Sequence, residues 1–356
     1  MGWWKSSPNA CTGKIYKAGA RRIMGVAFRD ILGDYKEPVS WESLAGTAAL
    51  DAHNAIYQFL SIIRQPDGTP LMDQEGRVTS HLSGILFRSA SFIEKGIRTV
   101  WVFDGTPPDL KQETIRERRT VREQASEKWQ EALARGDKEA AYKHARSSSR
   151  IDDEVLRTSR ELLDLLGLPC IQAPSEGEAQ AAYLVQRGDC RYVVSQDYDT
   201  LLFGAPFLAR NLTVSGKRKI RGRSISVLPE RIMLPAVLKG LSITREDLIK
   251  VAILVGTDFN SGIRGVGAKT ALRIVQNGGF EQAIMEKSPD TDWETIADFF
   301  LHPPVNENYL LEWKNPDREG ILTMLCDRFD FSPDRIQRAL DGMNVKTGQK
   351  TLDSWF

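Results

Sequence analysis

The chain has 356 residues, 41% hydrophobic and 27% charged, with 48 Lys and Arg against 47 Asp and Glu for a net charge of +1. That length buries a sizeable core in one large or two intermeshed domains. No apolar run approaches the roughly 20 residues that span a bilayer, so a soluble, intracellular protein is expected. Cys11, Cys170, Cys190 and Cys326 form no CxxC pair, and His53, His81, His144 and His302 are equally scattered. A disulfide framework and a soft-ligand zinc site are thereby excluded, leaving hard oxygen ligands for any metal.

Residues 1–23 carry Lys5, Lys14, Lys17, Arg21 and Arg22 with no acid. They lack an amphipathic period and the apolar stretch of a signal peptide, and read as an extension outside the fold. From Thr47 the pattern runs strand, helix (53–64), a Gly/Pro/Asp loop to 77, helix to 95, then strand 98–103. This β-α-β order implies parallel strands. Residues 111–146 read as a highly charged helical excursion; 111–150 hold eleven Lys or Arg against seven acids, suiting a polyanion. An amphipathic helix over 152–166 follows, then a strand at 169–172, a helix from 175, a strand at 191–194 and a β-rich stretch through 228. From 229 onward the signals are mostly helical. The fold class is α/β, a mainly parallel central sheet flanked by helices.

Four apolar runs end in an acid: Thr47-Ala-Ala-Leu-Asp51, Thr99-Val-Trp-Val-Phe-Asp104, Tyr192-Val-Val-Ser-Gln-Asp197 and Val251-Ala-Ile-Leu-Val-Gly-Thr-Asp258. One Asp after a strand is usually a turn former or a helix cap; the recurrence points to ligands gathered where strands end. Glu176 and Glu178, and Asp197 and Asp199, add pairs two residues apart. Ser175-Glu-Gly-Glu178 has the spacing of a capping box, which would account for Glu178 but not for Glu176. Both can reach one site only if the backbone entering the helix is extended, a conformation that Gly177 permits. Seven converging carboxylates would repel one another unless divalent cations lay between them. A two-metal phosphodiester hydrolase is the leading expectation.

Lys111 and Arg118 lie two helical turns apart, on one face, and could clamp a phosphate over the acids. A solvated charged helix has equal weight at this point. Ile263-Arg-Gly-Val-Gly-Ala-Lys269 opens a helix at 268–275, where glycine N–H groups and Lys269 could hold a phosphate. Gln349, Leu352, Trp355 and Phe356 end the chain with an apolar anchor suited to a partner's groove.

On these residues the chain resembles the archaeal flap endonucleases of the structure-specific 5′ nuclease superfamily. The resemblance spans 24–356 and rests on Leu50-Asp-Ala-His with Tyr57-Gln-Phe-Leu, Val102-Phe-Asp-Gly, Pro174-Ser-Glu-Gly-Glu-Ala-Gln180, Gln196-Asp-Tyr-Asp199, Gly256-Thr-Asp258 and Ile263-Arg-Gly-Val-Gly. It implies a PIN-like 5′ nuclease fold, with an N-terminal nuclease region over 24–121 and a helical arch over 111–146. An internal nuclease region with a helix-hairpin-helix element over 139–281, a C-terminal helical region over 282–341 and a sliding-clamp-binding tail over 349–356 complete it.

Asp51, Asp104, Glu176, Glu178, Asp197, Asp199 and Asp258 would hold two Mg²⁺, with Mn²⁺ able to substitute. Lys111 and Arg118 would contact the scissile phosphate. Tyr57 would stack on a base beside the cleavage point, Arg64 would contact DNA, and Gly265, Gly267 and Lys269 would grip duplex backbone beside a K⁺. The implied partners are branched DNA with a 5′ flap and the sliding clamp (PCNA), for a cytoplasmic monomer without membrane contact. In the family the chain begins at the equivalent of Met24, close to the active site. Translation from Met24, or removal of residues 1–23, is therefore expected.

The implied activity is 5′ flap endonuclease and 5′-3′ exonuclease action in Okazaki fragment maturation and base-excision repair. A sibling enzyme, a repair incision nuclease or Holliday-junction resolvase, shares the acids but differs in the arch. A non-catalytic DNA-binding clamp partner is the reading from another class.

Overall fold

The computed structural model describes residues 26–65, 67–214, 217–220 and 223–344. The basic extension (1–23) and the expected clamp tail (Gln349, Leu352, Trp355, Phe356) lie outside the described residues. Seven strands form one sheet in the order β1-β9-β6-β5-β2-β3-β4. They are β1 (Glu37–Pro38), β2 (Gly46–Asp51), β3 (Ile97–Phe103), β4 (Cys170–Gln172), β5 (Tyr192–Val194), β6 (Phe207–Arg210) and β9 (Glu230–Met233); β7 (Lys217–Ile220) and β8 (Arg223–Ser226) make a separate ribbon. The five strands β2 to β6 are mutually parallel, whereas β9 pairs antiparallel with β6 and β1 antiparallel with β9.

The alternation within the strands sorts side chains onto two helix layers. Leu50, Trp101, Phe103, Tyr192 and Val194 face one core, and Ala49, Val100, Val102 and Val193 face the other. Every one of these nine is essentially buried, so both faces are covered, as parallel sheets require. The helix Ala52–Ile62 begins directly at the end of β2, and Ser80–Glu94 returns the chain to β3. These packed faces hold the strand ends still, so side chains at those ends have fixed positions.

The charged excursion is two helices, Gln112–Ala134 and Lys138–Ser147, broken at Gly136 (φ 70°) and restarted by Asp137, whose side chain accepts from the Ala140 N–H. Ala125, Ala132, Ala141 and Ala145 on these helices are buried, the last of them against the loop at Gly68. The mostly helical expectation from 229 needs one correction, because Glu230–Met233 is a strand. Its four residues lie beside β6 and complete the sheet, a tertiary pairing that a run this short does not announce.

Candidate metal centre and nucleic-acid interface

The chain runs from β2 outward to β3 and β4, then returns to the other side of β2 as β5. The sheet order therefore reverses at β2, and the crevice beyond the carboxyl ends of β2, β3 and β5 is the place where open α/β sheets put ligands. Asp51 closes β2, Asp104 follows β3 by one residue, and Asp197 and Asp199 follow β5. Asp258 arrives differently, three residues past the helix Arg245–Val255 rather than off a strand.

Glu176 is the N-cap residue of the helix Gly177–Gln186, with extended backbone (φ −75°, ψ 125°), and Glu178 lies in the first turn. The extended entry is what both acids needed. The glycine's reason differs from the conformational one: the Gly177 N–H donates to Asp104 Oδ1 at 2.7 Å, and a Cβ there would stand 2.7 Å from that same oxygen. The capping box is not formed. Ser175 Oγ is buried without a hydrogen-bond partner, and Glu178 Oε1 accepts from Ser195 Oγ at 3.4 Å.

Electrostatics tie the seven acids together. Burial, then Asp104, pushes the Asp51 carboxyl well above its ordinary range, and burial with Asp199 does the same to Glu178. Burial and Asp258 raise Asp197 to about 6 and Asp199 to about 8. Glu176 is raised by burial while Lys111 pulls it back. Carboxylates that suppress one another's ionisation mark a site short of positive charge.

Part of that charge comes from the base of the excursion. Lys111 Nζ lies 2.6 Å from Glu176 Oε2 and 3.4 Å from Asp258 Oδ2, and Arg118 pairs with Asp258. Burial alone would lower the Lys111 pKa, but Glu176 and Asp258 outweigh it and hold the ammonium above its usual value. Among the described residues no three acids or histidines are grouped at ligand distances; these ion pairs balance the pocket instead. The donor set is nevertheless all carboxylate around its centre, which suits hard divalent cations.

Sequence reasoning missed the polar residues that aim the acids. Asn54 donates its backbone N–H to Asp51 Oδ1 at 2.9 Å and its side-chain amide to Asp197 Oδ2 at 2.7 Å. Ser195 Oγ lies 3.4 Å from Asp51 Oδ2 and accepts the Asp197 N–H at 3.1 Å. Only their places, three residues after one acid and two before another, carry any signal. The Val26 N–H donates to Asp199 Oδ1 at 2.8 Å, so the start of the described chain runs beside the acids.

Tyr57 is half-buried on the helix that starts at Asp51, one turn beyond Asn54, and it borders Arg64 and Arg122. Arg64 uses Nε, Nη1 and Nη2 inside the chain, on Leu60 O (2.7 Å), Gly68 O (2.6 Å) and Ser149 Oγ (2.8 Å). It braces a wall and presents little of its fork outward. Farther along, Arg245–Val255 and Ala268–Gln276 pack together across the loop 256–267. Gly265 needs its left-handed φ of 84°. Gly267 has φ −95°, which any residue adopts, and a Cβ there would meet nothing; with Lys269 exposed beside it, this turn leaves room for an outside partner.

The XPG N-terminal domain family matches residues 24–125, and the XPG I-region matches residues 167–258. Flap endonuclease 1 of Methanoregula boonei is 65% identical over 94% of this chain and 100% of its own length. The chain belongs to the flap endonuclease 1 family. A solved flap endonuclease-1 from Methanococcus jannaschii superposes with a TM-score of 0.72 at 40% identity, covering 90% of this chain and 98% of that one. The catalytic core of Rad2 in complex with DNA substrate, at 24% identity, shares the fold with a TM-score of 0.68 over 90% of this chain and 100% of that one. As a flap endonuclease the chain is a metal-dependent, structure-specific 5′ nuclease of DNA replication and repair. No helix among the described residues is long and apolar enough to cross a membrane.

Proposed function

We propose that the seven acids hold two Mg²⁺ ions, with Mn²⁺ able to replace them, and that the enzyme hydrolyses one phosphodiester at the base of a 5′ flap. The observation that carries this reading is the gathering of Asp51, Glu178, Asp197 and Asp199 in one pocket, each desolvated by burial and raised further by neighbouring acids, with Lys111 paired to Glu176 and Arg118 to Asp258 beside them. Divalent cations bound there supply Lewis-acid polarisation of the phosphate and an acidified water as nucleophile.

The chain's own residues supply the rest. Lys111 and Arg118 exchange their carboxylate partners for the oxygens of the scissile phosphate, holding it in line and stabilising the charge that develops on it. Asn54 and Ser195 keep Asp51 and Asp197 aimed into the pocket. The paired helices of the excursion form an arch over the 5′ strand. Tyr57 offers its ring face to a base beside the cleavage point, and Arg64 acts through the wall it braces.

The turn carrying Gly265, Gly267 and Lys269 takes the duplex backbone through a helix N-terminus, with a K⁺ beside it. The tail residues Gln349, Leu352, Trp355 and Phe356 engage the sliding clamp, and the protein works as a cytoplasmic monomer on DNA. The regions take the boundaries implied by the resemblance.

The decisive experiment compares wild type and Asp197→Asn on a 5′ flap, a bubble and a four-way junction of one sequence with Mg²⁺. Wild type is expected to prefer the flap, and Asp197→Asn to bind it while losing at least about 100-fold in cleavage rate. Unchanged cleavage by Asp197→Asn defeats the metal assignment. A preference for the junction defeats the flap assignment.

A further inference from the structure

We propose that Gln58 and Thr213 are positioning residues for the metal centre: they fix which way the Asn54 amide points, and through it the aim of Asp197. The inference rests on the reading that Asp197 binds a divalent cation. Gln58 lies one turn beyond Asn54 on the helix Ala52–Ile62, so both side chains leave the same face. Thr213 comes from another part of the chain, three residues past β6. Asn54, Gln58 and Thr213 are only 3%, 9% and 6% exposed, so water cannot substitute for the bonds they make to one another.

Those bonds form a continuous chain into the site. The Thr213 hydroxyl donates to Gln58 Oε1 at 2.5 Å, the Gln58 amide donates to Asn54 Oδ1, and the Asn54 amide donates to Asp197 Oδ2 at 2.7 Å. A single fixed partner decides all of these directions. The Gln196 backbone N–H, 3.3 Å from Asn54 Oδ1, can only donate. Asn54 must therefore keep its oxygen toward Gln196 and its NH₂ toward Asp197. Gln58 then has to meet the same oxygen with its own NH₂, which leaves Gln58 Oε1 in need of a donor. The Thr213 hydroxyl is that donor.

Every donor in the chain points toward Asp197, and each bond polarises the next. Remove the Gln58 NH₂, and Asn54 Oδ1 keeps only the longer bond from Gln196. Little then opposes a flip of the amide that would set its oxygen against Asp197 Oδ2 and turn the carboxylate away from the pocket. The competing role for Gln58 and Thr213 is to tie the helix to the segment after β6, which would affect folding but not the metal site.

The test measures Mn²⁺ affinity of the full chain by calorimetry, beside single-turnover cleavage of a bound flap in Mg²⁺. Gln58→Met, similar in shape but without donors, should weaken Mn²⁺ binding and slow cleavage by about tenfold each. Its flap affinity in chelator should stay within about twofold of wild type. Combined with Asn54→Ala, Gln58→Met should change neither quantity by more than about twofold further, because its effect passes through the Asn54 amide. Thr213→Val should show both losses at about threefold, and Thr213→Ser, which keeps the hydroxyl, should recover them. That second pair carries the test if Gln58→Met does not fold. Wild-type Mn²⁺ affinity in Gln58→Met, losses that multiply with those of Asn54→Ala, or equal values for Thr213→Val and Thr213→Ser overturn the proposal and leave the acid centre standing. Failure of the wild type to bind Mn²⁺ at all overturns the acid centre, and this role with it.

Discussion

Removing the metal and raising the pH from 6.5 to 8.5 should destabilise the protein, because the acid pocket is then forced to ionise without counter-charge. Asp199 sets the scale: burial, then Asp258 and Asp197, lifts its pKa from 3.8 to about 8. A carboxyl raised in the folded state contributes most below its unfolded pKa and loses that contribution as pH climbs through the folded value. Across this window the unfolded carboxyl stays ionised while the folded one goes from nearly all protonated to about three-quarters ionised, a loss of about 2 kcal/mol. Asp197, at about 6, has mostly titrated by then, while Glu178 and Asp51 steepen the fall.

His81 works in the opposite sense. Burial lowers its pKa from 6.5 to about 4, so stability is gained as pH rises through the unfolded value, which returns only about 0.4 kcal/mol above pH 6.5. Thermal melting followed by circular dichroism in a chelator should therefore show a midpoint falling by a few degrees. Saturating divalent cation should remove the fall. Asp199→Asn, whose Oδ1 can still accept the Val26 N–H, should flatten it without metal. A metal-free midpoint that is constant or rising between the two pH values, or equal slopes for wild type and Asp199→Asn, would refute the electrostatic account.

Lys111→Ala and Arg118→Ala should each slow single-turnover cleavage of a bound flap by about 100-fold or more, as loss of a phosphate clamp predicts; quench-flow on preformed complexes checks this. Gly177→Ala should also cut cleavage, by about tenfold or more, since its Cβ would displace the Asp104 carboxylate at 2.7 Å, and melting with activity assays separates this from unfolding. Gly267→Ala meets nothing in the chain and should leave the melting temperature unchanged, yet weaken duplex binding by about fivefold or more if a phosphate approaches that backbone. Fluorescence anisotropy on duplex and single-stranded DNA reads the difference.

Much of the framework can be read from local pattern. Apolar runs ending in Asp51, Asp104 and Asp197 announce strands that deliver acids to one edge, because a buried parallel strand has few other ways to appear in sequence. The Glu176 and Glu178 pair announces a helix entered from extended backbone, and that is its geometry. What the pattern withholds is whatever depends on contacts between distant segments. Strand order alone brings Asp104 to Gly177 and Asn54 to Asp197, across 73 and 143 residues. The reason for Gly177, the engagement of Arg64 inside the chain, the antiparallel Glu230–Met233 edge and the approach of His53 to Asp104 are decided the same way. Periodicity encodes which face of an element is buried; only the packed structure specifies which side chain of another element it meets there.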